Sequence, residues 1–209
     1  MMKPMVAMTA LSLLVALGAP TGTSAQAGVP VIPREVAGRW VSVGCETTQG
    51  PEGPRYVMRD LRLTESTWAV DLTVYGDANC AEPTLVVRVE GPYLLGQAST
   101  TVPGATDALF VEAEAQVTPR SAAAVEMLNG APAGTCGAVR WARDDRQRLR
   151  PMGCALLGIG SPAAEYDLVK RDGDRLFLGA RPSANNDLNA PERRPTALNA
   201  PLEPGAATQ

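Results

Sequence analysis

Four cysteines, Cys45, Cys80, Cys136 and Cys154, carry the plainest chemistry in this chain. Behind an export leader, an even number of thiols reads as two disulfides, with free buried thiols as the alternative. Residue order alone permits three connectivities. Pairing in sequence would close loops of roughly 35 and 20 residues, each worth on the order of 3 kcal/mol in the chain-entropy model. There is no C-x-x-C pair and no histidine, so no metal site is expected. The lack of histidine also excludes Ser-His-Asp and Cys-His catalysis. Carboxylates are the remaining acid–base groups. Glu112 and Glu114 fall on one face of a strand pattern, which raises a carboxylate-based hydrolase as an alternative reading. Alternation turns that face to solvent, so surface charge explains them and no catalytic residue is assigned. Asp144-Asp145 sits among arginines and reads as surface ion pairing. No Gly-rich phosphate loop occurs, and the Asp/Asn clusters near Asp77 and Asn185 lack calcium-loop spacing. The expectation is a protein without enzymatic or cofactor chemistry.

The residues left to do work are apolar. Trp68, Val70, Leu72 and Val74 share one face of a strand, and Leu109, Val111, Ala113, Ala115 and Val117 share one face of another. With Trp40, these strands suit the wall of a hydrophobic cavity. The candidate ligand-contacting residues are therefore Trp40, Trp68, Val70, Leu72, Val74, Leu109 and Val111.

Short strands must position them. Arg39–Glu46, Tyr56–Leu63, Trp68–Tyr75, Leu85–Val89, Tyr93–Ser99, Leu109–Val117, Glu165–Lys170 and Arg175–Leu178 are the strand candidates. Gly91-Pro92 is read as a break, and Asp172-Gly173 as a hairpin signal. One helix interrupts them over Ser121–Leu128, with Thr118 as N-cap, Pro119 at the first helical position and Asn129-Gly130 as stop. The Arg/Asp-rich stretch from Trp141 reads as a solvated face tied down by Cys136 and Cys154. The predicted fold is mainly β and antiparallel, barrel-like (half-open or closed), with one short helix and two disulfides.

Lys3 followed by the apolar run Val6–Gly18 has the form of a signal peptide, with cleavage after Ala25 or Ala27. The run is too short to span a bilayer, and no later stretch is apolar enough to do so. A formal charge of -3 without a basic block argues against nucleic acid or anionic membranes as partners. Lysine is confined to Lys3 and Lys170, and the Arg-, Ala-, Gly- and Pro-rich composition resembles that of a GC-rich bacterial genome. The expected compartment is the periplasm or the medium.

Gly38-Arg39-Trp40 is similar to the opening of lipocalins, where the tryptophan plugs one end of a barrel. A longer resemblance covers nearly the whole mature chain. Gly38-Arg39-Trp40-Val41-Ser42 with Cys45-Glu46, then Tyr56–Arg59, Cys80-Ala81-Glu82-Pro83-Thr84 and Gly91-Pro92-Tyr93 resemble the domain of the adenomatosis-polyposis-coli-down-regulated (APCDD) family. Met58 stands where that family usually has Thr. Thr135-Cys136, Gly153-Cys154, Glu165–Val169, Leu176–Gly179 and Arg194–Leu198 continue in the family's order. The resemblance implies a β-barrel over residues 28–198 with a cavity for an acyl chain, the cysteines paired in sequence, and Arg194–Leu198 packed. Residues 199–209 are expected to form a disordered tail. Animal members carry two such domains and a membrane anchor and antagonise Wnt signalling, in part through the Wnt lipid. Here one domain and no anchor are expected, and only the lipid-binding part carries over. The function expected is an exported protein holding an acyl chain or other apolar ligand. The alternative is an envelope structural or protein-interaction module with a packed core.

Overall fold

A computed structural model of the chain describes residues 29–50, 53–137, 140–149, 153–157, 159, 164–182 and 188–206. The predicted leader and its cleavage sites lie outside these residues. The strands are β1 (Gly38–Ser42), β2 (Glu46–Gly50), β3 (Gly53–Leu63), β4 (Thr67–Tyr75), β5 (Pro83–Ala98), β6 (Thr106–Val111), β7 (Glu114–Pro119), β8 (Gln147–Arg148), β9 (Ala164–Asp172), β10 (Arg175–Leu178) and β11 (Leu202–Pro204). A one-turn helix α1 (Pro33–Val36) precedes β1, and α2 (Ala122–Asn129) follows β7.

Eight strands close a ring in the order β1-β3-β4-β5-β6-β9-β10-β11, every pairing antiparallel. Closure leaves the ring without an edge to pair with another chain. Two strands of the ring run past it. Along the first half of β3, β2 takes the place of β1. Along the first half of β5, β7 takes the place of β6, and β8 pairs with β7. The barrel thus has a closed part and a flared part, the latter a six-stranded sheet β2-β3-β4-β5-β7-β8.

Register assigns the faces. Trp40, Leu61, Val70, Val89 and Ala115 form one cross-strand row pointing inward; Ser42, Arg59, Leu72, Val87 and Val117 form another. Most of these side chains join a single apolar cluster with Leu63, Trp68, Tyr93, Phe110, Leu176 and Leu202. Helix α2 adds Ala124 and Leu128, and the Cys136–Cys154 region adds Trp141 and Leu149.

Several sequence expectations change here. The first strand ends at Ser42, and β2 starts after a corner at Val43–Cys45. Gly91-Pro92 does not break the chain: β5 runs through it for 16 residues. A glycine is required at 91 because a Cβ there would overlap the Val111 carbonyl of the facing strand. Pro92 follows it inside the strand, paired with Thr67, although a proline has no N–H to give to a ladder. Leu109–Val117 is two strands whose alternation slips a phase at Glu112-Ala113, where Ala113 N–H bonds both Glu90 and Val111 carbonyls. Helix α2 is capped by Ser121, whose hydroxyl accepts from Ala124 N–H, while Thr118 and Pro119 still belong to β7.

The expected tail is corrected as well. Leu202–Pro204 is a stave of the ring, paired with β1 and β10, and Leu202 is fully buried. Three residues that follow one proline and end on another have no strand signature of their own, so only the two waiting edges order them. Arg194–Leu198 is ordered too, with Pro195 fully buried and Leu198 bridged to Gly179.

Candidate functional site

Both disulfides follow sequence order, Cys45–Cys80 and Cys136–Cys154. The first ties the β1–β2 corner to the β4–β5 turn. The second ties the segment after α2 to the segment after β8, so both staples brace the flared part.

The closed part is plugged. Trp40 is 4% exposed, its indole N–H donates to the Val36 carbonyl of α1 at 2.8 Å, and the Arg171 guanidinium lies 5.8 Å from its ring centre. Arg171 also donates to the Glu35 carbonyl, fastening α1 over the tryptophan. Trp68 donates its indole N–H to the Val111 carbonyl at 3.1 Å and packs edge-on against Phe110 at 5.0 Å. Tyr93 stacks on the same Phe110 at 5.7 Å and donates its hydroxyl to the Thr64 carbonyl. Both tryptophans face inward, and both have their polar ends satisfied by the protein.

The remaining candidates divide. Val70, Leu72 and Val74 point inward on β4 yet are only half-buried, in contrast to their neighbours Val57, Leu85, Val87 and Val89. Leu109 and Val111 do not face the interior. Leu109 pairs with Leu94, which is 67% exposed, and the inward residues of β6 are Thr106, Ala108 and Phe110. The reason is the phase slip at Glu112-Ala113: counting back from Ala115 and Val117 crosses an irregularity that reverses the faces.

Glu112 and Glu114 fall on either side of that slip. Glu112 lies between strands, and Glu114 pairs across from Glu90. Glu114 has one buried carboxylate oxygen without a hydrogen-bond partner. A surface cleft of about 470 Å³ beside it is lined by Arg62, Trp68, Arg88, Glu90 and Pro92. Among the described residues no group of three His, Cys, Asp or Glu is placed to hold a metal ion.

Charged residues missed by sequence reasoning also face inward. On β3, Arg59 alternates with Val57 and Leu61, so a charge on an otherwise apolar face was the available signal. Its Nε and Nη2 donate to Glu46 Oε1 and Oε2 at 3.0 and 2.7 Å, and Nη2 also reaches the Ala200 carbonyl at 3.1 Å. The Ser42 hydroxyl donates to Glu46 and accepts from Arg59 N–H. Both partners of the pair are about nine-tenths buried, with side-chain exposures of 9% and 11%. The network pins the place where the chain leaves β1, enters β2 and later returns as β11. Glu46 and Ala200 also line a cleft of about 310 Å³ between this corner and Asn199–Pro201.

Asp167 is the second buried charge. Its carboxylate accepts from Leu168 and Gly179 N–H at 2.7 and 3.0 Å, beneath Pro195. Burial raises its pKa to about 7, the two N–H donors oppose the rise, and the nearby Glu165 adds to it. Gly179 has to be glycine, because a Cβ there would overlap both Asp167 and Pro195.

The outer face of β1, β3, β4 and β5 is polar by contrast. Arg39, Asp60, Arg62, Asp71, Arg88 and Glu90 form a continuous ion-pair ladder at 2.7–3.4 Å. The Arg39 hydrogen bond holds the Asp60 carboxyl below the usual carboxylate range.

No helix among the described residues is long and apolar enough to cross a membrane. A family model described as adenomatosis polyposis coli down-regulated 1 matches residues 21–151, more than half of the chain. The match takes in β1 to β8 with the flared sheet, while β9 to β11, which complete the ring, follow it in sequence. On that match the chain belongs to the adenomatosis polyposis coli down-regulated family.

Proposed function

We propose that this protein binds an acyl chain or similar apolar ligand along the inner face of the flared sheet. The observation that carries the reading is the row Val70, Leu72 and Val74: inward-facing, apolar and only half-buried. Side chains in that position gain burial when hydrocarbon covers them, at roughly 0.8 kcal/mol per methylene. The wall is braced for such a task, since both disulfides and α2 hold the flare while the tryptophan plug closes the ring. Trp40 and Trp68 act here as packing, and Leu109 and Val111 lie outside the site.

The binding takes place outside the cytosol, after removal of residues 1–25 or 1–27 as a signal peptide. Two disulfides are compatible with an oxidising compartment. Native mass spectrometry of gently purified protein tests the function, backed by titration with a fluorescent fatty acid. A bound species of acyl-chain mass, displaced by the probe, is the expected result. Protein that is reproducibly empty and does not bind the probe sinks the reading.

A second reading draws on the fully packed ring around Trp40, Leu61, Tyr93 and Phe110. In it the domain is an envelope interaction module with no ligand. Crosslinking that recovers one defined partner from ligand-free protein would favour it.

A further inference from the structure

The inward row that contains Leu72 also contains Arg59, directly across from it in register. A planar guanidinium has two edges able to grip an anion. The outer ladder shows how this chain uses both on one residue. Arg88 places Nε and Nη2 on Glu90 at 3.0 and 2.7 Å and Nη1 on Asp71 at 3.0 Å, bridging two carboxylates. Arg62 likewise bridges Asp60 and Asp71. Arg59 repeats the first half of the Arg88 arrangement, with Nε and Nη2 on Glu46. Its Nη1 donates to no acceptor among the described residues, and unlike Arg194 Nε it is not sealed from solvent. With Nε and Nη2 turned to Glu46, Nη1 lies on the opposite edge of the group. Its side chain is nevertheless nine-tenths buried, so solvent is a poor substitute for an acceptor there.

We infer that Arg59 holds the carboxylate of a long-chain fatty acid through Nη1, with the hydrocarbon running along Leu72 and Val74. This inference rests on the proposed apolar site and adds the chemical class of the head group. Glu46 and Ala200, the two groups Arg59 already grips, line the cleft at the β1–β2 corner. The head group would sit on the Arg59 edge turned away from Glu46, close to where the corner opens to solvent, with the tail along the apolar wall. Glu46 leaves the pair formally neutral, so discrimination comes from the two remaining N–H donors rather than from net charge.

The test uses cis-parinaric acid and its methyl ester, two fluorescent probes with the same chain and different heads, titrated into the full-length disulfide-bonded protein. The acid should bind at least about tenfold more tightly at pH 8, equivalent to one charge-assisted hydrogen bond. The preference should vanish when the carboxylate is protonated at low pH. In Arg59→Met with Glu46→Leu, which removes both charges together and leaves no orphaned ion, acid and ester should bind alike. Equal binding of acid and ester to the unmodified protein overturns the head-group assignment while leaving the apolar site standing. Binding of neither overturns both. Retained preference in a folded double variant overturns the assignment to Arg59. Should that variant fail to fold, the acid–ester comparison and its pH dependence on the unmodified protein decide the matter.

Discussion

The ring and the flare share β3, β4 and β5, yet they treat inward side chains differently. In the ring, strands face strands across the axis, and large side chains from opposite walls meet. Trp40, Leu61, Tyr93, Phe110, Leu176 and Leu202 are each at most 4% exposed. In the flare the opposite wall is replaced by α2 and a disulfide-bound loop, and Leu72 and Val74 keep contact with solvent. The same sheet therefore supports a packed plug at one level and a half-buried apolar surface at the next. Under the proposed function, the ring supplies stability and the flare supplies the surface for ligand contact, a division common where function needs surface that the core has not consumed.

Substitutions can break this comparison. Trp40→Ala should cost about 3–5 kcal/mol in urea denaturation, since it empties the plug and orphans the Val36 carbonyl and the Arg171 stack. A loss below about 1 kcal/mol would mean that the ring is not the stable region. Asp167 sharpens the picture through pH. Its folded pKa of about 7 lies above the unfolded value, so the fold favours the protonated form. Its contribution is complete below about pH 4 and is lost as pH rises to about 7, on the order of 4 kcal/mol at most. Asp167→Asn should flatten that slope and raise the melting temperature at pH 8 relative to the unmodified protein. An unchanged slope would remove Asp167 as its source.

In the flare, Cys136→Ala with Cys154→Ala should cost on the order of 3 kcal/mol. The same variant should weaken fatty-acid binding more than Trp40→Phe does, as read by probe titration. Leu72→Ala should cost only about 1–2 kcal/mol, because the side chain is half-exposed, while lowering probe affinity severalfold. Equal losses of stability for Leu72→Ala and Trp40→Ala would erase the distinction between the two regions. The smallest effect belongs to the outer ladder. A double-mutant cycle on Arg62 and Asp71 should return about 0.2–1 kcal/mol, shrinking with added salt.

The family match and the strand order bear on how far the sequence could be read. The alternation of Trp68–Val74 located the most informative strand and its inward face, because β4 is regular and period two is a local property. The same rule failed for Leu109 and Val111. A β-bulge reverses faces without leaving a mark in composition, and only the backbone turn at Glu112-Ala113 shows it. Arg59 stood in view on an apolar face, but its partners Glu46 and Ala200 come from β2 and from the segment before β11, the second of them 141 residues away.

The cysteine count, the absence of histidine and the recurrence of short alternating segments were enough to establish a disulfide-braced β protein with no histidine chemistry. These are matters of residue type and near-neighbour spacing, which every chain states directly. Which cysteines pair, where the barrel closes and which charges are buried depended on tertiary structure. Those outcomes arise from contacts between distant segments. The three residues Leu202–Pro204 show it best: they become a strand only because β1 and β10 present them with two unpaired edges.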